Sequence, residues 1–454
     1  MSQLPAPHFH APAGTVVGRH DGEVIRATGI RYARAARFQP PVAEPAAVEP
    51  IPATSPAPAC PQAPDALLGQ LLGDLFAGLR YDEDCLRLSV TRPADRRADE
   101  PLPVLVWVHG GSYVTGAGDL AIYDPAALVA EQRVLFVAVT YRLGLLGFLG
   151  SDAGPPPNLG LLDLREALRW VQRNIAAFGG DPALVTLLGH SSGADAIAHL
   201  MVADGARGLF RRVMLHSAPL GLARQRGAMN RALAAAAGPL PQAGNVADVL
   251  AREGVVHRAG RRFGLKGGMP FGTQYGAHPL PAEADMDRAW AAAAPHVDVL
   301  IGATAEETRF FAVLDPRFSR VRRVPFLGAA LERVLVAVSS ALVYRRAAKA
   351  FARRHARAGG RVYRFLVLFQ PAGAAFGAAH AVDLPLLLGT EASWSATPLL
   401  GNAKWEEVHQ AGRQVRQLWA DFARTGQVPA PVTIPGVLHV QRVSPTTSKF
   451  SGKG

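Results

Sequence analysis

Cysteine, aromatic side chains and long apolar runs are all scarce in this chain of 454 residues. The two cysteines, Cys60 and Cys85, cannot assemble a metal cluster by themselves. The first twenty residues lack the apolar core of a signal peptide. The most apolar long segment, residues 334–343, is too short to span a bilayer. These absences predict a cytoplasmic protein without a transmembrane segment and without a metal cluster built on cysteine.

Acidic residues are fewer than basic ones, at 36 against 48, which gives a net charge of +12. Basic pairs such as Arg261-Arg262 and Arg353-Arg354 are scattered along the chain. A nucleic-acid interface typically gathers Lys and Arg with interleaved aromatic residues, so the sequence predicts no nucleic-acid partner. Because 49% of the residues are hydrophobic, we expect a large core. The composition contains no signal for an oligomeric state.

The N-terminal region combines alternating residues with a proline-rich stretch. Residues 15–34 predict a β-hairpin with Asp21-Gly22 as its turn. Proline is so frequent in residues 40–64 that an extended surface loop is predicted there. A short amphipathic helix is expected at residues 67–79.

Strands and helices then alternate along the chain. A helix is expected from Asp163, with Glu166 three residues later in a capping-box-like start. Apolar strands are predicted at residues 85–91, 103–109, 134–140, 212–216, 297–302 and 362–368. This pattern predicts one α/β domain over residues 1–454, with a mostly parallel central sheet and helices on both faces. The tail at residues 427–454 carries no clear pattern.

A G-x-S-x-G pentapeptide at residues 189–193 joins an apolar strand that begins at Val185 to a helical pattern that begins at Ser192. A strand-to-helix turn is the context that a nucleophile elbow requires. There, two glycines let the strand and the helix approach closely around a strained serine. The motif predicts Ser191 as a nucleophile, and the alternative is an ordinary glycine-rich turn.

A serine nucleophile needs a base, and the base needs an acid that orients it. Glu306 and Glu307 directly follow a predicted strand, and each is also suited to be a helix-start carboxylate. His380 lies in a loop of small residues just past another strand, where an imidazole can project freely. The other histidines beyond the acid are expected on solvated helix faces or near a frayed end: His355, His409 and His439.

An oxyanion needs backbone N–H donors that converge on one point. Ser192 follows the candidate nucleophile and is expected to supply one of them. Others are expected from Gly110, Gly111 and Ser112, because glycines after a strand allow amides to turn inward. His109 precedes them, and we expect it to hold the loop rather than act as a base.

Many blocks of the chain resemble the type-B carboxylesterase/cholinesterase family of α/β-hydrolases, in the family's order. They include G-I-R-Y-A at residues 29–33, D-E-D-C-L-R-L-S-V at 82–90, V-W-V-H-G-G at 106–111, N-I-A-A-F-G-G-D-P at 174–182, G-H-S-S-G-A at 189–194 and W-A-D-F-A-R-T-G at 419–426. The resemblance implies the α/β-hydrolase fold and a serine carboxylesterase that hydrolyses small-molecule esters through an acyl-enzyme and needs no metal or cofactor. The apolar composition around the inferred active-site gorge favours uncharged esters.

The resemblance also implies individual roles. Ser191 matches the nucleophile, His380 the base, and Glu307 the acid, because the family's acid is the second carboxylate of its pair. Gly111, Ser112 and Ser192 match the oxyanion donors, with Gly110 positioning them. A disulfide between Cys60 and Cys85 is also implied, which leaves secretion open; the alternative is two free thiols in a reducing cytosol.

The chain departs from the family pattern at several positions. Ser112 replaces a third glycine and is expected to intrude on the acyl side, while Ser192 replaces an alanine and is expected to make the pocket more polar. Two alternatives to the esterase are open. A non-catalytic binding member would usually have lost the serine or the histidine, and a hormone-sensitive-lipase-type hydrolase would use an aspartate as its acid.

Overall fold

The computed structural model describes residues 5–445 except 65, 75, 77, 98, 152–153, 315–320 and 322–323. Among these residues are sixteen strands, and eleven of them form one mixed sheet. The strands are β1 (His8–Ala11), β2 (Gly14–Val17), β3 (Arg19–Asp21), β4 (Val24–Arg31), β5 (Ala33–Arg34), β6 (Val42–Ala43), β7 (Ile51–Pro52), β8 (Arg87–Pro93), β9 (Leu102–Val108), β10 (Leu135–Val139), β11 (Gly180–His190), β12 (Arg212–His216), β13 (Asp298–Thr304), β14 (Val362–Val367), β15 (Val432–Ile434) and β16 (Leu438–Arg442).

Helices connect most of the strands. They are α1 (Ala66–Leu72), α2 (Ala126–Gln132), α3 (Gly144–Gly147), α4 (Leu159–Asn174), α5 (Ser192–Leu200), α6 (Gly227–Ala237), α7 (Ala247–Gly260), α8 (Met286–Ala293), α9 (Arg309–Leu314), α10 (Gly328–Ser340), α11 (Arg346–Arg357), α12 (Leu384–Leu387), α13 (Glu391–Trp394) and α14 (Trp405–Thr425). A π-helical turn, Ala341–Arg345, joins α10 to α11. None of the helices that the structure describes is long and apolar enough to cross a membrane.

The sheet has the strand order β15-β16-β14-β13-β12-β11-β9-β10-β8-β4-β3. Its six central strands, β14 through β10 in that order, run parallel, and the strands outside them pair antiparallel. Val108 pairs with Gly189, and His190 pairs with His216. The parallel strands therefore end together, and the segments that follow them meet at one edge of the sheet.

The central strands are apolar on both faces because helices cover both. Strand β9 is buried throughout; its Val104, Val106 and Val108 join one core, and Leu105 and Trp107 join the other. Helices α4 and α5 contribute to the first core, and α12 and α14 to the second. The predicted α/β-hydrolase sheet with helices on both faces is confirmed, with antiparallel strands at its two margins.

Helix α4 begins earlier than predicted. Its first residue is Leu159, preceded by Asn158 in the left-handed conformation, and Asp163 lies one turn inside. The Asp163 carboxylate accepts two hydrogen bonds from the Arg142 guanidinium, at 2.7 and 2.8 Å, and both side chains are buried. Asp163 is thus a buried ion-pair partner, and its prediction as a helix start is wrong.

The N-terminal predictions need three corrections. The two-residue turn between β3 and β4 is Gly22-Glu23, and residues 15–17 pair with β1 instead. Residues 57–62, part of the predicted surface loop, are buried. The helix expected over residues 67–79 ends at Leu72.

Cys60 and Cys85 are both buried free thiols in the structure, so the implied disulfide is not formed. The two side chains are neighbours: contact with Cys60, together with burial, raises the pKa of the Cys85 thiol. The Leu143 N–H points to the Cys60 sulfur at 3.4 Å. The pair therefore packs as two small apolar groups in the core.

Candidate active site

Ser191 lies between the end of β11 and the start of α5 in a strained backbone conformation, with φ 55° and ψ −126°. A Cβ at Gly189 would lie 2.6 Å from the Ile197 side chain, and one at Gly193 would lie 2.1 Å from the Val108 carbonyl oxygen. Both glycines are therefore required for the close strand–helix approach. The Ser191 N–H donates to the His216 carbonyl at 2.8 Å, which ties the turn to β12.

Glu307 and His380 are brought together from the ends of two neighbouring strands, β13 and β14. The His380 Nδ1 lies 2.5 Å from Glu307 Oε2. The other carboxylate oxygen accepts the Thr304 N–H at 2.7 Å, and Glu307 is fully buried. Because both oxygens have donors, the carboxylate is fixed and leaves His380 Nε2 as the imidazole nitrogen opposite the acid.

Glu306 has a different environment from its neighbour. Its carboxylate forms an ion pair with Arg309 at 2.8 Å and keeps a quarter of its side chain exposed. It also accepts the Ala378 N–H, at the base of the loop that carries His380. The structure thus places Glu307, and not Glu306, against the imidazole.

The remaining histidine candidates lie elsewhere. His355 is buried, with Nε2 2.9 Å from the Val297 carbonyl, so its prediction as a solvated residue is wrong. His439 lies inside β16 rather than at a frayed end. His409 is partly exposed and pairs with Glu131 at 3.1 Å.

The loop after β9 bends over the Ser191 turn. A Cβ at Gly110 would lie 2.8 Å from the His190 carbonyl oxygen, and one at Gly111 would lie 1.9 Å from the Thr115 carbonyl oxygen. Gly111 has φ 110°, and Ser112 adopts the left-handed region at φ 56°. This backbone path brings Gly110, Gly111 and Ser112 to the cavity that contains Ser191.

Ser192 is fully buried, and its hydroxyl accepts the Tyr113 N–H at 3.2 Å. The Tyr113 hydroxyl in turn donates to Asp195 at 2.6 Å. Ser192, which replaces the family's alanine, therefore links α5 by a hydrogen bond to the loop that follows β9, which we call the glycine loop. The prediction that its side chain makes the pocket more polar is wrong.

Gln62 is a supporting residue that the sequence reasoning missed. Its amide oxygen accepts from the Thr115 hydroxyl at 2.5 Å and from the Gly116 N–H at 2.8 Å, and its amide N–H donates to the Gly116 carbonyl. His109 supports the same loop with Nδ1 2.8 Å from the Gly110 carbonyl. Burial lowers the pKa of His109 to about 4. The residues around this glutamine form a proline-rich segment, and nothing in that segment predicts that its side chain supports the loop after β9.

A second acid–histidine pair lies beneath His380. Asp383 Oδ2 is 2.6 Å from His216 Nδ1, and the indole N–H of Trp419 donates to His216 Nε2 at 2.7 Å. His190 packs its ring 4.5 Å from the His380 ring. Burial, with His380 nearby, lowers the pKa of His190 to about 3 despite the opposing charge of Asp383. The ring that supports His380 is therefore neutral.

Ser191 and His380 line one cavity of about 170 Å³. Its walls are mainly apolar, and none of the described residues that line it carries a carboxylate, lysine or arginine side chain. Leucines of α1, aromatic rings and the glycine loop surround the space: Leu68, Leu71, Leu72, Phe76, Phe310, Phe311, Tyr344, Gly110 and Gly111. Such a cavity favours uncharged, apolar ligands.

Comparison with known proteins agrees with this geometry. The model of the carboxylesterase family matches residues 5–323. The chain is 37% identical to a probable N-octanoylanthranilate hydrolase from Rhodococcus erythropolis over 93% of each chain. It is 31% identical to the para-nitrobenzyl esterase of Bacillus subtilis, over 91% of this chain and 88% of that protein.

The solved structures include a thermophilic pNB esterase with a TM-score of 0.80 and 27% identity, matched over 96% of this chain and 98% of that one. The match confirms the α/β-hydrolase fold that the sequence predicts. Together with the family model and the full-length relatives, it also confirms the predicted resemblance. The chain belongs to the carboxylesterase family and is a carboxylic-ester hydrolase.

Proposed function

We propose that Ser191, His380 and Glu307 form the catalytic triad of a serine esterase that acts on uncharged esters. The observation that carries this proposal is the 2.5 Å bond between Glu307 and His380, whose imidazole lines the same cavity as the strained Ser191. Glu307 accepts the Nδ1–H, so that Nε2 is free to take a proton. The buried carboxylate also stabilises the imidazolium that forms.

The reaction has two halves. Ser191 Oγ attacks the ester carbonyl while His380 Nε2 takes the hydroxyl proton, and the tetrahedral intermediate then expels the alcohol, which receives that proton. Water next attacks the acyl-enzyme, with His380 again as base, and Ser191 is released with the carboxylic acid. The N–H groups of Gly111, Ser112 and Ser192 are the proposed donors to the oxyanion, and Gly110 allows their approach.

The cavity walls favour an apolar acyl chain of moderate length. The leucines of α1 and the rings of Phe310 and Phe311 all line the cavity. The relative from Rhodococcus is named for an octanoyl substrate, which fits such walls. An anthranilate carboxylate would meet no lysine or arginine among the described lining residues, so we propose uncharged esters as the preferred class.

A panel of p-nitrophenyl esters of rising chain length, with N-octanoylanthranilate alongside, tests this function. We expect the highest kcat/KM for a medium-length ester and a much lower value for the anionic amide. The Ser191→Ala variant should lose activity by a factor on the order of 10⁴ or more. A fluorophosphonate probe should label Ser191 alone.

Unchanged hydrolysis by Ser191→Ala, or a label on another residue, would overturn the mechanism. A non-catalytic binding protein would show no hydrolysis of any ester by the wild type. A higher kcat/KM for N-octanoylanthranilate than for the neutral esters would overturn the substrate class and leave the triad in place.

A further inference from the structure

A row of large apolar side chains faces solvent along α10. Its members recur every three or four residues, and we call them the outer stripe: Leu327, Leu331, Val334, Leu335, Val338 and Leu342. Leu327 is 65% exposed and Val334 is 56% exposed, while the opposite side of the helix buries Val336 and Ser340. Helix α10 therefore has two apolar faces: one is buried against the protein, and the other faces solvent. An exposed apolar face of this kind is typical of a surface that binds a membrane or another protein.

The inner side of α10, opposite the outer stripe, packs against the candidate active site. The Ser340 hydroxyl accepts the N–H of Thr308, the residue after Glu307, at 3.1 Å. Tyr344, one turn beyond the helix, lines the cavity, as does Phe311, which is 39% exposed. The helix that carries the outer stripe therefore adjoins the cavity.

Basic residues follow the stripe along the same helical run. From Arg333 to Arg357 the sequence contains seven Lys or Arg residues and no acidic residue. Arg346 is exposed at the start of α11. Arg357, at the end of the same helix, is also exposed, while Arg354 is paired with Asp287. An anionic surface would attract the exposed cations.

We propose that the outer stripe and the basic start of α11 seat the enzyme on an anionic lipid bilayer, with the adjoining cavity near the lipid surface. The leucines and valines would enter the boundary between headgroups and acyl chains, and the cations would face the lipid phosphates. A net charge of +12 adds long-range attraction. Apolar esters concentrated in the bilayer would then reach the cavity, a consequence that rests on the proposed esterase function.

Vesicle co-sedimentation tests the docking directly. We expect the wild type to bind vesicles of equal parts phosphatidylcholine and phosphatidylglycerol, to bind pure phosphatidylcholine weakly, and to be released by salt. The double variant Val334→Glu with Val338→Glu should lower the bound fraction about tenfold, because both side chains would carry charge into the apolar boundary. Arg346→Glu should weaken binding to anionic vesicles only.

The matched control is Val48→Glu, which changes a 98% exposed valine outside the stripe and should bind as the wild type does. Hydrolysis of a soluble short ester and the melting temperature should be unchanged in all these variants. The Ser191→Ala variant should bind vesicles normally, so a failed triad and a failed docking surface give different results.

The proposal would be overturned if the wild-type protein did not bind anionic vesicles, or if the double variant bound them as well as the wild type does. Sedimentation velocity supplies the competing outcome. A wild-type dimer that becomes a monomer in the double variant would mean that a second copy of the chain covers the outer stripe, and the bilayer proposal would then fail.

Discussion

Two acid–histidine pairs lie close together at the carboxyl edge of the sheet, and their local geometry is nearly the same. Glu307 and His380 are 2.5 Å apart, and Asp383 and His216 are 2.6 Å apart. In each pair a carboxylate oxygen meets Nδ1, which leaves Nε2 on the opposite side of the ring. The carboxylate–imidazole bond by itself therefore does not distinguish His380, which we propose as the base, from His216.

The two pairs differ at Nε2. The His216 Nε2 accepts the Trp419 indole N–H, so both nitrogens of this imidazole have partners inside the core. His380 instead lines the cavity with 12% of its side chain exposed. The two histidines therefore differ in whether Nε2 is accessible, and not in the bond to the carboxylate. An accessible Nε2 can exchange a proton with a ligand, whereas the Nε2 of His216 is used within the core.

Glu253 extends the comparison, because it is a buried acid without a histidine. Its carboxylate accepts the Leu145 N–H at 2.8 Å. Burial raises the pKa of Glu253 to about 7. Asp383 shows the opposite result: burial opposes ionisation, but the hydrogen bond from His216 outweighs it, and the pKa of Asp383 is lowered to about 2. A histidine that donates a hydrogen bond thus favours the ionised form of a buried carboxylate, whereas burial without a histidine favours the protonated form.

The largest expected effect comes from breaking the first pair. Glu307→Gln should lower kcat/KM by a factor on the order of 10⁴, because the amide no longer orients and stabilises the protonated His380. Glu306→Gln is the matched control, since its carboxylate pairs with Arg309 at the surface, and it should change kcat/KM less than about threefold. The reverse order of the two effects would reassign the acid.

Glu253→Gln should remove a pH-dependent loss of stability. The folded-state pKa of Glu253, at about 7, lies above its ordinary value of 4.5, so the wild type loses stability as pH rises from 4.5 through 7. The loss amounts to about 3 kcal/mol. Urea unfolding at pH 8 should find the variant more stable by up to that amount, and the two proteins should be similar near pH 4.5. A pH-independent difference would contradict this account.

Breaking the second pair should lower stability more than activity. The pKa of Asp383, at about 2, lies below its ordinary value of 3.8, so its contribution is present above about pH 4 and is lost as pH falls through 2. Asp383→Asn should therefore lower the free energy of unfolding by about 2 kcal/mol at pH 7. Activity per folded molecule should fall less than about tenfold. A loss of activity as large as that of Glu307→Gln would give Asp383 a direct role.

The smallest effect is expected at Ser112, which lines the cavity at φ 56°. Ser112→Gly should relieve about 1 kcal/mol of backbone strain and widen the acyl side of the cavity. The ratio of kcat/KM for a long ester to that for a short one should rise a few-fold in the p-nitrophenyl panel. Ser112→Ala, which keeps the Cβ, is the control and should leave that ratio unchanged.

Much of the site could be predicted from short stretches of sequence. The pentapeptide at residues 189–193 indicates a strained serine turn because its glycines are the only residues that fit the close contacts there. His380 follows a strand in a loop of small residues, and the family resemblance selects Glu307 over Glu306. The strand positions were predictable for the same local reason, since buried parallel strands are continuous apolar runs.

Other features depended on residues far apart in the chain. The burial of His355 was missed because it depends on what packs against the helix, which a charged helical pattern does not reveal. The place of His439 was missed because its strand is held in the sheet by pairing with β14, a distant segment. Gln62 reaches the glycine loop from a proline-rich segment more than fifty residues earlier, and Ser192 turns its hydroxyl to Tyr113 rather than to the cavity.

The sequence by itself determined the family, the sheet and the strained geometry of the serine turn, because these follow from local periodicity and from steric demands within a few residues. Only the tertiary structure decided which acid–histidine pair opens to the cavity, that the two cysteines are free thiols, and that α10 turns an apolar stripe outward. These outcomes depend on burial and on partners from distant segments, and neither is encoded in any one stretch of the chain.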